Sequence, residues 1–98
     1  MRNITTLCGS TRFKKSFENI EKKLTLEGRI VLSVGFFEKI DGTALNKEQM
    51  DLLEELHRDK IKMSDSIFVI NENGYIGEST QKEIEYATAL MKVIEYLE

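Results

Sequence analysis

The 98-residue sequence has no proline, one cysteine and one histidine, and it lacks an excess of basic residues and any long apolar run. Each scarcity removes a class of explanation. Cys8, being alone, cannot form an internal disulfide, which suits a reducing compartment and predicts a cytoplasmic protein. One cysteine and one histidine (His57) exclude a zinc site built from Cys and His alone. No apolar stretch approaches the ~20 residues needed to cross a bilayer, and the first residues, MRNITTLCGS, carry neither the apolar core nor the cleavage site of a signal peptide. A net charge of −3 argues against a nonspecific grip on a nucleic-acid polymer, which requires a basic face. Repeats, linkers and low-complexity tracts are also missing, so residues 1–98 read as a single domain.

What is present is a hydrophobic share of 41% and a charged share of 32%, a balance that places the chain among globular rather than disordered proteins. Short apolar runs alternate with longer amphipathic stretches. Residues 3–8 read as a strand, followed by a turn at Gly9–Arg12. Phe13, Phe17, Ile20 and Leu24 then recur at helical spacing, and Gly28 occupies the place of a C-terminal helix cap. Residues 29–34 read as a second strand and 35–46 as a long loop containing Phe36 and Phe37. These two rings could pack on the sheet edge, cover a base or enter a dimer contact, and the three readings stand level. Asn46 with Gln49 forms a capping-box signature, opening a helix expected to turn Met50, Leu53, Leu56 and Ile61 toward the core. Ser66–Asn71 is the nearly continuous apolar run of a strand buried on both faces. A loop over 72–78, a helix over 80–91 and a strand over 93–97 complete a βαβαβαβ order.

Such alternation predicts an α/β fold, a parallel sheet with helices on both faces and right-handed crossovers. Ligands of such sheets bind beyond the carboxyl ends of the strands, where strand order reverses. If the first strand is central, the loops after strands one and three share that place. In the first loop, Gly9 permits close backbone approach, and the Ser10 and Thr11 hydroxyls, the Arg12 fork and free helix-start N–H groups could face an anion. The plainer alternative makes Ser10 only a cap and Arg12 only a solvated side chain. Two sharper motifs fail. Only three residues separate Cys8 from Arg12, too few for a cysteine-dependent phosphatase loop, so Cys8 reads as a buried strand residue. Lys14 stands where a P-loop needs its second glycine.

The second loop leads to Glu83, which shares a helical face with Ala87 and Leu90, so its carboxylate points toward the packed side. A carboxylate there suits a nucleophile or a general base. Thr80-x-x-Glu83 is equally a capping box, in which Glu83 would merely satisfy a backbone N–H. Asp65, just before the third strand, could hold a sugar hydroxyl or donate a proton, or be a helix-terminating or turn carboxylate. Tyr75 could stack on a base or cover the edge of the core, and Glu72, Glu78 and Glu85 read as solvated.

A strand ending in CGSTRF, Ser64-Asp65 ahead of an apolar strand, a glycine-containing loop and then S-T-x-x-E-I-x-Y-A (Ser79 to Ala87) together resemble the nucleoside 2-deoxyribosyltransferase-like superfamily. The Cys-Gly-Ser-x-Arg opening is most similar to its 2′-deoxynucleoside 5′-phosphate N-hydrolases. The resemblance spans nearly the whole chain. It implies a flavodoxin-like three-layer sandwich with about four strands, and cleavage of the N-glycosidic bond of a 2′-deoxynucleoside or its 5′-monophosphate. It further implies Glu83 as nucleophile, Asp65 beside the sugar and leaving base, and Gly9, Ser10 and Arg12, helped by Ser79 and Thr80, at the 5′ end of the substrate. Tyr75 is the candidate for the base. No cofactor or metal is implied; a small-molecule nucleoside or nucleotide partner and a homodimer are. Ser79 departs from the family's usual glycine, and Met91-Lys92-Val93 from its Gly-Lys-Pro. The chain is also shorter than typical members, so a noncatalytic nucleotide-binding or sensing module on the same fold is the alternative.

Overall fold

The computed structural model describes residues 1–34 and 45–98. Phe36 and Phe37 lie outside the described residues. The elements are β1 (Ile4–Gly9), a 3-10 turn (Thr11–Phe13), α1 (Lys14–Leu26), β2 (Ile30–Leu32), α2 (Lys47–Met63), β3 (Ser66–Ile70), a second 3-10 turn (Glu72–Gly74), α3 (Glu78–Ala89) and β4 (Val93–Tyr96).

All strand pairs are parallel, in the order β2-β1-β3-β4. β3 is buried at every position, as its unbroken apolar sequence requires of an inner strand covered on both faces. Residue alternation along the two inner strands then builds two cores. Leu7, Phe68 and Ile70 meet Phe17, Ile20 and Leu24 of α1 on one face. Cys8, Ile67 and Val69 meet Ile61 of α2 and Ile84 and Ala87 of α3 on the other. This is the expected α/β three-layer arrangement, consistent with a flavodoxin-like fold. Among the described residues, no helix is long and apolar enough to cross a membrane.

Local signals explain the boundaries. Gly28 follows the last turn of α1 at φ +91°, a left-handed conformation that favours glycine, and its N–H reaches Thr25 O at 2.9 Å. Asn46 and Gln49 make the reciprocal capping box at the start of α2. The inward face of α2 differs from the expected one. Ile61 is buried and Leu53 half-buried, but Met50 (49% exposed) and Leu56 (45%) lie outside the core. The line that meets the sheet is Leu53, His57 and Ile61, at spacings of four; Met50 and Leu56 flank it, and the position between the two apolar residues is filled by a histidine.

Across the sheet, Arg29 donates to both carboxylate oxygens of Glu95 at 2.6 and 3.0 Å, tying the start of β2 to β4. The hydrogen bond and the adjacent guanidinium hold the Glu95 carboxyl below its usual pKa.

Candidate active site

From β1 the chain moves to β2 on one side, and from β3 to β4 on the other. The crevice between the carboxyl ends of β1 and β3 is therefore the point where strand order reverses, the place at which such sheets bind ligands. Gly9 ends β1 there, opposite Ile70. A Cβ on Gly9 would lie 2.8 Å from Ile70 O and 2.9 Å from Ile70 Cβ. The glycine thus lets the two strand ends close together before the chain turns away.

A pocket of about 460 Å³ opens above this point. Gly9, Ser10, Tyr75, Ser79, Thr80 and Glu83 all line it, so six of the eight residues singled out from the sequence share one pocket. Ser10 also caps: its Oγ accepts from the Arg12 backbone N–H and from Arg12 Nε, each at 3.3 Å. Arg12 does not line the pocket. Its guanidinium stacks 4.1 Å from the centroid of the Tyr75 ring, and Tyr75 in turn packs edge-on to Phe13 at 6.0 Å. Arg12 is thereby held at the rim, and one face of the Tyr75 ring is already occupied.

Helix α3 starts two residues before the expected position, with Gly77 as its N-cap and no capping side chain. Thr80 is therefore inside the first turn, buried, and Glu83 lies one turn further in. Thr80 and Glu83 do not form a capping box, and the Glu83 carboxylate is available to the pocket. The backbone N–H groups of Glu78, Ser79 and Thr80 precede the first i→i−4 bond, Gln81 N–H to Gly77 O at 2.9 Å, and the first turn carries the positive end of the helix dipole.

Asp65 is elsewhere. It precedes β3 at the amino end of the strand, where its Oδ2 accepts the Ile4 N–H at 2.9 Å and its own N–H reaches Ile4 O at 2.8 Å. The pocket is at the carboxyl ends, roughly five residues or about 16 Å along the sheet. The expectation that Asp65 stands beside the sugar is corrected by this placement: the carboxylate closes the start of β1.

The residues that surround Glu83 were not singled out as site residues. His57 Nε2 lies 3.6 Å from Glu83 Oε1 and 3.5 Å from Cys8 Sγ. Lys60 lines the pocket as well, with its Nζ donating to Ser33 O at 2.6 Å. Burial pushes the Glu83 carboxyl up to about 7; the Cys8 hydrogen bond opposes the shift, Glu54 adds to it and Arg58 opposes it. Burial, with Lys60 adding to the effect, brings His57 down to about 4, so its contact with Glu83 at neutral pH is not an ion pair. Cys8 is fully buried, and burial followed by the neighbouring Glu83 pushes its thiol well above the usual range, so it is not an activated thiolate in the free protein. The donor atoms of Cys8, His57 and Glu83 all lie within 4.8 Å of one another. Counting cysteine and histidine alone therefore overlooked a mixed set completed by a carboxylate. The signal for His57 was its spacing of four from Ile61 on the inward line of α2.

No protein-family model matches the sequence, and no curated protein sequence matches it. Among solved structures, the fold is similar to that of the Clostridium botulinum CMP N-glycosidase BcmB, with a TM-score of 0.65 and 22% sequence identity over 95% of this chain and 69% of that one.

Proposed function

We propose that this chain cleaves the N-glycosidic bond of a nucleoside 5′-monophosphate or of the free nucleoside, with Glu83 as the nucleophile. The observation that carries the reading is the half-buried Glu83 carboxylate in a pocket that Ser10 and the first turn of α3 also line. The sequence resemblance to N-glycosidic enzymes and the likeness of fold to a nucleotide N-glycosidase both support it.

In this mechanism ionised Glu83 attacks C1′ as the electron pair of the C1′–N bond leaves with the base, through an oxocarbenium-like transition state. The departing base takes up a proton from solvent water. Water, or a nitrogen of a second base, then attacks C1′ of the glycosyl-enzyme and gives its proton to solvent, Glu83 leaves as carboxylate, and the configuration at C1′ is retained. A carboxyl near 7 is half ionised at neutral pH, and a desolvated carboxylate is a stronger nucleophile than a solvated one. The 5′-phosphate would take Ser10 Oγ and the first-turn N–H groups of α3, with Arg12 at the rim. Neutral His57 orients the carboxylate from beneath.

The sugar is 2′-deoxyribose by sequence resemblance, whereas the structural neighbour is named for a ribonucleotide. The test is therefore incubation with ribo- and 2′-deoxynucleoside 5′-monophosphates and the unphosphorylated nucleosides, with free base followed by chromatography. Release confined to monophosphates supports a hydrolase with a phosphate-reading first loop. Release accelerated by an added second base supports transfer. The position of Asp65 outside the pocket favours the second reading, a noncatalytic nucleotide-binding module. Measurable binding without base release would select that one.

A further inference from the structure

We propose that Cys8, His57 and Glu83 form a binding site for a divalent cation of the zinc type, seated at the floor of the pocket with one coordination position open toward it.

The three residues come from β1, α2 and α3, so the packed core fixes their backbones independently. Cys8 Sγ is 3.5 Å from His57 Nε2, His57 Nε2 is 3.6 Å from Glu83 Oε1, and all three donors lie within 4.8 Å of one another. A tetrahedral zinc ion with Zn–S near 2.3 Å and Zn–N or Zn–O near 2.0 Å sets its donors about 3.3–3.5 Å apart. Cys8 and His57 stand at that separation, and His57 and Glu83 nearly so. Glu83, the most exposed of the three and the one with the longest side chain, supplies the remaining adjustment.

The donor chemistry selects the cation. A thiolate disfavours magnesium and calcium, which take oxygen ligands, and favours zinc or a similar borderline-soft ion. Three protein ligands with a fourth position facing a pocket is the arrangement of zinc sites that exchange water or small molecules. Charge balance agrees: a thiolate and a carboxylate neutralise a dication, so the complex buries no net charge, whereas either anion alone is costly in this apolar floor. On binding, the Cys8 thiol proton and any proton on Glu83 pass to solvent, and His57 binds through Nε2 as neutral imidazole. No oxidation or reduction occurs.

Occupancy would hold the Glu83 carboxylate in a metal bond. If Glu83 is the nucleophile of the proposed function, the cation is therefore an inhibitor of the pocket it enters. The experiment uses the full chain, treated with chelator and then titrated with Co²⁺ as a spectroscopic probe. The expected result is saturation at one equivalent with a thiolate-to-cobalt charge-transfer band and intense tetrahedral d–d bands, bleached when Zn²⁺ displaces the cobalt. Cys8→Ser should lose the charge-transfer band, and His57→Ala should weaken binding by at least about tenfold. Glu55→Gln, on the exposed face of α2, should leave the titration unchanged. Circular dichroism checks each fold, and if Cys8→Ser fails to fold, His57→Ala carries the comparison. No saturable band in the wild-type chain, or bands indifferent to His57→Ala, would overturn the site. Base release by chelator-treated wild-type protein that then shows no cobalt band overturns the site and leaves the proposed function standing; a cobalt band in protein that releases no base even when metal-free does the reverse.

Discussion

Glu83 and His57 should make the stability of this small domain depend on pH in opposite senses, and removing either one should unmask the other. Glu83 is pushed up from 4.5 to about 7 and His57 down from 6.5 to about 4. A carboxyl raised on folding contributes stability that is full below its unfolded value and is lost as pH rises through the folded one. A histidine lowered on folding contributes stability that is full above its unfolded value and is lost as pH falls toward the folded one. Between about pH 5 and about pH 8, each shift integrates to about 2 kcal/mol, with opposite sign. The causes of the two shifts do not include each other: burial, Cys8, Glu54 and Arg58 act on Glu83, and burial and Lys60 on His57. Each should survive removal of its partner. The Glu95 shift acts at lower pH and the Cys8 shift at higher pH. Wild-type protein in chelator-treated buffer should therefore have a nearly level melting temperature across this window. Glu83→Gln should lose about 2 kcal/mol on acidification, and His57→Gln a similar amount on alkalinisation, or about 8–16 °C in melting temperature for a domain of this size. Thermal melts followed by circular dichroism read the effect. Parallel pH profiles for all three proteins would refute the reasoning, because they would mean that neither group is desolvated by the fold.

Other consequences are open to single variants. Gly9→Ala places a methyl within 2.9 Å of Ile70 and should cost about 1–3 kcal/mol in urea unfolding. Asp65→Asn should leave base release at the wild-type rate, since its carboxylate only accepts the Ile4 N–H; a large loss of rate would restore it to the mechanism. Arg12→Ala, which empties the rim beside Tyr75, should raise KM for monophosphates by about tenfold while hardly moving that for free nucleosides.

The parts of this molecule that follow from local rules were legible in the amino-acid order. The apolar run of β3, the spacing of Phe17, Ile20 and Leu24, Gly28 after α1 and the Asn46–Gln49 box each produced the element they predict. The alternation of strands and helices predicted the parallel sheet, and with it the place of the crevice. Three features depended on contacts far apart in sequence and were not legible. Ser79 and Thr80 resemble a helix start, but the cap is Gly77, which carries no side-chain signal, so Thr80 is inside the turn. The phase of α2 was read from its apolar residues alone, which passed over His57, a polar residue made inward by its packing on β1 and α3. A carboxylate before an apolar strand reads alike wherever that strand points; only the parallel pairing of β3 with β1 puts Asp65 at the amino end of the sheet and away from the pocket.

In the proposed reaction Glu83 breaks the bond between sugar and base. The most direct test is base release from nucleoside 5′-monophosphates by wild-type protein and by Glu83→Gln, each shown to be folded and run at about pH 8, where the native carboxylate is mostly ionised. With Glu83 as nucleophile, the wild type releases base at a rate that falls toward lower pH through about 7, and the variant loses turnover while retaining nucleotide binding. Equal turnover by the two proteins would contradict that role.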